Sequence, residues 1–149
     1  MKQKGFSLIE SLIYAMLLAF TCILAFSWLS NSLQGFRQTN IKSAQVMMAH
    51  AALARMSADV QMAQASENKW KSESKSFSLH CMPANQRIRW LLEKDKLYRI
   101  QGTAKALIAT GISDFAHTLK KNNDAISGLT VRLGFDAMMF EKQIRVYNG

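Results

Sequence analysis

The chain has 149 residues, with 19 basic and 10 acidic side chains and a formal net charge of +9 at pH 7. That length leaves room for one domain with a helical extension rather than for several domains. Hydrophobic residues make up 49% of the chain, close to the average of globular proteins, but they are unevenly distributed. The organisation of the protein therefore has to be read from the positions of its apolar runs.

A long run without formal charge follows the N-terminal MKQKGFSLIE. It covers residues 11–36, SLIYAMLLAFTCILAFSWLSNSLQGF, and is longer than the roughly 20 apolar residues that cross a bilayer. Lys2 and Lys4 precede the run, and basic residues beside a span favour the cytoplasmic side. We therefore expect a single-pass membrane protein with its N-terminus inside and residues 37–149 outside.

Three ordinary interpretations of this segment each conflict with particular residues. A secretory signal peptide would be cut at residues 25–27, AFS, which is a weak site, and a charge inside its apolar region is unusual. A lipoprotein signal needs small residues before its cysteine, whereas Phe20 and Thr21 precede Cys22. A plain anchor does not explain Glu10, because a carboxylate at the centre of a membrane helix costs roughly 2.5–3.5 kcal/mol.

The stretch KGFSLIE resembles the type III signal of type IV pilins and pseudopilins. The resemblance implies that a prepilin peptidase cuts after Gly5, removes residues 1–5 as a leader and methylates the new N-terminal Phe6. Glu10 then occupies mature position five, the hallmark of that family. Phe6 and Glu10 are four residues apart, so they share one helix face, and a negative charge near a helix N-terminus is favourable.

The same resemblance implies a role for these two residues in assembly. The carboxylate of Glu10 would lie opposite the terminal amine of Phe6 of a neighbouring subunit inside the bilayer. Its desolvation cost would fall when that partner arrives. The membrane helix would cover residues 6–30.

Residues 31–65 continue the helix in a more polar form, without proline and with Gly35 as their only glycine. Apolar residues recur there at helical spacing: Ile41, Ala44, Met48, Ala52, Leu53, Met56, Val60 and Ala63. The pattern predicts one long helix whose first half lies in the membrane and whose second half packs on a domain. Methionine suits irregular core gaps, so we expect four methionines to be core residues: Met47, Met48, Met56 and Met62.

Residues 66–149 have the pattern of an antiparallel β-rich domain. Residues 66–76 are polar and are predicted to form a loop, whereas Phe77, Leu79 and Cys81 alternate with polar neighbours as in a strand. IRWLLEKDKLYRI predicts a hairpin, and further strands are predicted over residues 106–110, 115–119, 129–135 and 140–147. A helix followed by antiparallel strands predicts an α+β fold, a long N-terminal helix packed on a small antiparallel sheet domain.

The two cysteines predict no disulfide. Cys22 falls inside the apolar run and Cys81 falls in the β-rich part, so they cannot easily pair with each other. We expect Cys81 to be a small residue of the core.

The order of elements is similar to that of minor pseudopilins of the competence system, the ComGF type, and of the related GspJ type of secretion systems. FSLHC, QRIRW, KLYRIQG, ALIATGISDF and IRVYNG carry this likeness, and the short chain favours competence over secretion. The resemblance implies co-assembly with other major and minor pseudopilins into a short envelope-spanning filament for DNA uptake. The alternatives are a minor pseudopilin of type II secretion or of a type IV pilus, or a tip module that contacts DNA or secreted cargo.

No arrangement of residues indicates catalysis. His50, His80 and His117 lie far apart in different predicted elements, whereas metal sites need converging ligands. Residues 102–111, GTAKALIATG, lack the Gly-Lys-Ser/Thr ending of a phosphate-binding loop, and there is no serine nucleophile elbow. We therefore expect no enzyme activity, no metal and no cofactor.

Charge is the remaining signal. Loss of Lys2 and Lys4 with the leader leaves 17 basic and 10 acidic residues, a net charge of +7. In a protein that serves DNA uptake, a basic surface can contact phosphates. The candidate residues are Lys69, Lys71, Arg87, Arg89, Lys120 and Lys121. The alternative is a solvated basic surface, or one facing an acidic neighbouring subunit, because acidic residues are interspersed with the basic ones.

Overall fold

The computed structural model describes residues 7–123, 125–136 and 138–147. Within them, one α-helix precedes a short 3-10 turn and eight strands, an order that confirms the predicted α+β fold. The elements are α1 Leu8–Gln61, the turn Glu67–Lys69, β1 Lys71–Glu73, β2 Ser76–Cys81, β3 Gln86–Glu93, β4 Lys96–Gln101, β5 Ala104–Thr110, β6 Asp114–Asn122, β7 Ala125–Phe135 and β8 Met138–Arg145.

The chain divides into two compact units, Met1–Ser43 and Ala44–Gly149, and α1 contributes to both. In the first unit, nearly all described side chains of α1 are exposed, including the apolar ones from Leu8 to Phe36. An 18-residue window of this helix has a mean hydropathy of 2.2, and none of that window is buried. The helix is therefore long and apolar enough to cross a membrane.

In the second unit, α1 packs on the sheets through the later part of the predicted stripe, whereas Ile41 and Ala44, at its start, are exposed. Its buried apolar residues are Ala49, Ala52, Leu53, Met56 and Val60. The prediction that Met47 and Met62 are core residues is wrong, since their exposed fractions are 72% and 50%. Met47 lies nine residues before Met56, which is two and a half helical turns, so it faces the opposite side.

The segment that follows α1 joins both sheets. The sequence predicts helix to about Ala65, but α1 ends at Gln61 and the next residues are extended. The Gln64 N–H donates to His80 O (2.9 Å) and the Met82 N–H donates to Met62 O (2.8 Å), so the segment bridges to the end of β2. The Ile126 N–H donates to Ala65 O (2.7 Å) at the start of β7. These strand-type bonds replace the next turn of the helix.

The first sheet has five antiparallel strands in the order β1-β2-β3-β4-β5. Phe77, Leu79, Ile88, Trp90 and Leu97 form its buried face, and the register pairs Phe77 with Trp90. The predicted hairpin is confirmed, with β3 and β4 joined by residues 94–95. The prediction of a loop over residues 66–76 is wrong in part, because the 3-10 turn and β1 form there and β1 pairs with β2.

The second sheet has three antiparallel strands in the order β6-β7-β8. Its central strand supplies the apolar face, with Leu129, Val131, Leu133 and Phe135 all buried. At Gly128 on that strand, a Cβ atom would lie 2.9 Å from the carbonyl oxygen of Ile144. Glycine is therefore required there by the close approach of β8. The outer strands of the two sheets are β1 and β5 in the first, and β6 and β8 in the second.

Candidate functional site

The predicted processing site can be examined only in part. Gly5 and Phe6 lie outside the described residues, whereas Glu10 lies in the first turn of α1. The side chain of Glu10 is exposed, and it forms no ion pair with the described residues. A carboxylate at the edge of an apolar run thus has no counter-charge within the part of the chain that the structure describes.

Glu10 also belongs to a helix cap. Ser7 precedes the first residue of α1, and its Oγ accepts a hydrogen bond from the Glu10 N–H (3.2 Å). Ser7 and Glu10 match the Ser-x-x-Glu pattern of a capping box, which satisfies N–H groups that have no partner within the helix. This capping role was not predicted from the sequence, although the pattern SLIE indicates it. The cap marks the beginning of the helix at Leu8.

A buried carboxylate accepts three side-chain hydrogen bonds in the domain. Asp59 on α1 is 3% exposed and faces β3 and β4. Arg99 donates from Nε to Asp59 Oδ2 (2.8 Å) and from Nη2 to Oδ1 (2.9 Å), and Trp90 Nε1 donates to Oδ2 (3.0 Å). We call Asp59, Trp90 and Arg99 the clasp. It fixes the packed part of α1 to the five-stranded sheet through a two-pronged ion pair.

The clasp arises from positions that the sequence pattern assigns to the core. Asp59 lies three residues after Met56 and so falls on the apolar stripe of α1. Arg99 lies two residues after Leu97 on β4 and therefore points to the same face of the sheet. Neither Arg99 nor Asp59 was among the residues singled out from the sequence. The pair could have been predicted from the sequence because α1 and β4 each carry a charged residue, of opposite sign, at a position that the pattern assigns to the core.

Cys81 lies beside the clasp and is buried, as predicted. Its Sγ donates to the backbone oxygen of Asp59 (3.2 Å). Burial, and next the negative charge of Asp59, raise the pKa of the Cys81 thiol to about 11. A thiol that stays protonated at neutral pH is a poor nucleophile and a poor metal ligand.

His117 on β6 is the histidine with the most contacts. Its Nε2 lies 2.9 Å from Ser72 Oγ on β1, and its ring packs against Phe77 and Phe115 with centroids 5.2 and 5.5 Å away. Burial lowers the pKa of His117. Its Nδ1 is buried and has no hydrogen-bond partner among the described residues. A Ser–His contact without a third group to orient the imidazole lacks the arrangement that activates a serine.

The candidate nucleic-acid residues fall in separate places. Lys71, Arg87 and Arg89 lie on the outer face of the five-stranded sheet, because Lys71 and Arg89 both pair with Ser78 in the register. Lys120 and Lys121 lie on β6 of the other sheet, and Lys69 lies in the 3-10 turn. The structure therefore groups three of the six on one sheet face.

Intramolecular partners occupy several of these side chains. Arg89 Nη2 lies 2.9 Å from Glu73 Oε2, and Lys121 forms an ion pair with Glu67. Arg87 donates to Ser78 Oγ (3.2 Å) and Lys120 donates to Gln143 Oε1 (3.3 Å). Contact with nucleic acid stays a prediction, and the ion-paired residues would have to exchange a carboxylate for a phosphate.

No group of three or more His, Cys, Asp or Glu side chains within residues 7–123, 125–136 and 138–147 is arranged to hold a metal ion. A scan of the sequence against protein-family models found no match. A search of curated proteins also found none. The interpretation of function therefore depends on the residues themselves.

Proposed function

We propose that this chain is a minor pseudopilin: a type IV pilin-like subunit that is cut by prepilin peptidase and assembles into a short filament across the cell envelope. Other major and minor pseudopilins and the cytoplasmic membrane would be its partners. The subunit would have no catalytic activity of its own. The observation that carries the proposal is KGFSLIE at the N-terminus, with Glu10 at the position that the family's signal requires.

The environment of Glu10 supports this proposal. The helix begins at Leu8, so a cut after Gly5 would leave Phe6 and its new amine next to the first turn. Glu10 is exposed on an apolar helix and forms no ion pair with the described residues. A carboxylate kept in such a position is expected to have a partner, and the amine of a neighbouring subunit is a suitable one.

The arrangement of the rest of the chain also supports it. An exposed apolar helix in the first unit continues into a second unit where the same helix packs on antiparallel sheets. We infer that the first unit lies in the membrane and that the domain formed by the second unit lies outside it. Lys2 and Lys4 before the span favour this orientation.

Analysis of the mature N-terminus tests the proposal directly. The full chain is co-expressed with a prepilin peptidase and its N-terminal peptide is identified by mass spectrometry. We expect a chain that begins at N-methylated Phe6, and an uncut chain when Gly5 is replaced by a bulky residue. A start near Trp28, which indicates a secretory signal peptidase, or an intact Met1 in the presence of the peptidase would overturn it.

The machine served by the subunit needs a separate experiment. We propose DNA uptake in natural competence, because the quoted strand segments are similar to those of that type. The alternatives are a type II secretion pseudopilus or a type IV pilus. Deletion in the source organism should abolish transformation and leave protein secretion unchanged; the opposite result would assign the subunit to secretion.

A further inference from the structure

The outer strand β5 has an unpaired edge. It lies at the end of the five-stranded sheet, next to β4 only. No hydrogen bond reaches its backbone from any other element of the described residues. Residues 104–107 are all exposed, and Leu107 is 52% exposed. A row of unsatisfied backbone donors and acceptors is therefore open to another strand.

The other outer strands carry the features that prevent such pairing. β1 has three residues, and two of them, Lys71 and Glu73, are charged. β6 contains Asp114, Lys120 and Lys121, and β8 contains Glu141, Lys142 and Arg145. Natural sheets protect their edges with short strands and charges. β5 has seven residues and a single charge, so it is the least protected edge among the described strands.

The one charge on β5 is held away from the edge. Lys105 Nζ lies 2.7 Å from Glu93 Oε2 and 4.1 Å from the centroid of the Tyr98 ring. Both partners belong to strands on the inner side of β5, so the ammonium group is drawn over the sheet. The cation consequently does not project into the space where a further strand would lie.

We propose that residues 104–107 of β5 bind an extended segment of another protein, which adds to the sheet as an antiparallel sixth strand. Addition of a strand to an open edge is a common mode of peptide recognition, in which the backbone bonds supply affinity and alternate side chains supply specificity. The sheet is antiparallel throughout, and antiparallel pairs are the more frequent kind.

The rows of side chains across the sheet define the chemistry of the segment. Leu91, Tyr98 and Leu107 are register partners in one row, so the residue added beside Leu107 is apolar. Arg89, Ile100 and Lys105 form the next row on the same face, and Lys105 ends it at the open edge. The Lys105 ammonium group has N–H donors beyond the one that meets Glu93, so an acidic residue beside it can share the cation, whereas a basic residue cannot.

The other face and the end of the strand set the remaining limits. Ala104 and Ala106 are small and exposed, so the segment can place larger apolar residues beside them. The register shifts between Leu97 and Tyr98, opposite the part of β5 after Leu107. Because such a bulge twists the strand, regular pairing is expected over residues 104–107 only. From its N-terminus to its C-terminus, the added segment is therefore expected to have an apolar, an apolar, an acidic and an apolar residue opposite residues 107 to 104.

A short peptide of that pattern tests the proposal on the full chain in detergent micelles. The probe is acetyl-Thr-Val-Val-Glu-Val-Thr-amide, and amide hydrogen exchange of the isotope-labelled chain is measured with and without it. We expect saturable binding with at least a tenfold slowing of exchange at residues 104–107. The same peptide with Lys in place of Glu should bind at least fivefold more weakly. A version with alternate backbone nitrogens methylated should not bind.

Two chain variants with matched exposure complete the experiment. Leu107→Lys should abolish binding, whereas Met139→Lys, at a 54% exposed position on the outer strand β8, should leave it unchanged. Equal slowing on β6 or β8, an equal loss in both variants, or no binding at millimolar peptide would overturn the proposal. If amide exchange at residues 104–107 slows with increasing protein concentration in the absence of peptide, the edge binds a second copy of the chain and the proposal is overturned. None of these results depends on how the N-terminus is processed.

Discussion

The helix α1 carries two acidic residues, and their environments are opposite. Glu10 lies in the first turn, exposed on an apolar surface and without an ion pair among the described residues. Asp59 lies near the other end, 3% exposed, with two bonds from Arg99 and one from Trp90. Among the described residues, the carboxylate in the domain therefore has three donors, whereas the carboxylate at the start of the helix has no cationic partner. If a carboxylate in apolar surroundings is kept because it has a partner, the partner of Glu10 comes from outside the described chain.

The largest expected effect comes from removing the carboxylate that has partners. Asp59→Ala leaves the guanidinium of Arg99 in its half-buried position without a counter-charge. Loss of one member of a buried pair costs about 3–5 kcal/mol of unfolding free energy. Urea denaturation followed by tryptophan fluorescence measures it, since Trp90 contacts Asp59.

The control for this variant is an exposed ion pair of the same domain. Asp114→Ala breaks a contact to Arg132 at 3.6 Å between half-exposed side chains, and it should cost less than about 1 kcal/mol. Replacing both partners of the clasp, Asp59→Leu with Arg99→Met, should recover much of the stability. Equal losses in Asp59→Ala and Asp114→Ala would mean that the clasp is not a special contact.

Cys81 reports on the surroundings of Asp59 through its reactivity. In a Cys22→Ser background, alkylation at pH 8 should be about 100-fold slower in the folded chain than in urea, because a thiol with a pKa of about 11 is almost entirely protonated there. The folded pKa exceeds the unfolded value of about 8.5. This contribution to stability is therefore complete below about pH 8.5 and is lost as the pH rises towards 11. A fast reaction that reaches its plateau near pH 9 in the folded chain would contradict the burial of the thiol.

His117 is a half-buried ionisable group without an ion pair among the described residues. Burial lowers its pKa, so between the folded pKa and the unfolded value of about 6.5 the unfolded chain binds more protons. Stability should consequently fall as the pH drops through about 6.5 and level off below the folded pKa. His117→Gln should remove this slope from denaturation curves measured between pH 5 and 8. A slope that disappears instead in His50→Gln would assign the effect to another residue.

The smallest expected effect on the domain comes from Glu10. Glu10→Ala should change the unfolding free energy of the domain by less than about 0.5 kcal/mol, because the side chain is exposed, and membrane insertion should remain intact. Entry into the filament should decrease, since the carboxylate that meets the neighbouring amine is gone. Co-purification with partner pilins measures this, with Ser7→Ala as a control for the helix cap alone. Normal co-assembly of Glu10→Ala would contradict the assembly role.

The sequence predicts the elements of this fold well where periodicity is strong. The stripe from Met48 to Val60 and the hairpin of β3 and β4 are confirmed because each follows one repeat. Residues 66–76 were predicted as a loop because they are polar. β1 is an exposed outer strand, so Lys71 and Glu73 on it face solvent and give no apolar alternation. No local signal shows that such a strand pairs with β2.

The residues of the candidate site also differ in how far the sequence predicts them. KGFSLIE is contiguous, so its processing can be predicted from the sequence, although Gly5 and Phe6 fall outside the described residues. The clasp joins Asp59 to a residue 40 positions later, and the two meet only because α1 packs on the five-stranded sheet, where the register places Arg99 beside Trp90. Sequence alone shows that both occupy core positions, but it does not show that they meet.

The extended segment after α1 determines how the domain bears mechanical load. Residues 62–66 are hydrogen-bonded to β2 on one side and to β7 on the other, a few residues beyond Asp59. Tension applied along α1 therefore acts first on its packed face and the clasp, and next on a segment that is bonded to both sheets. We expect pulling on the helix to load the two sheets together rather than one after the other.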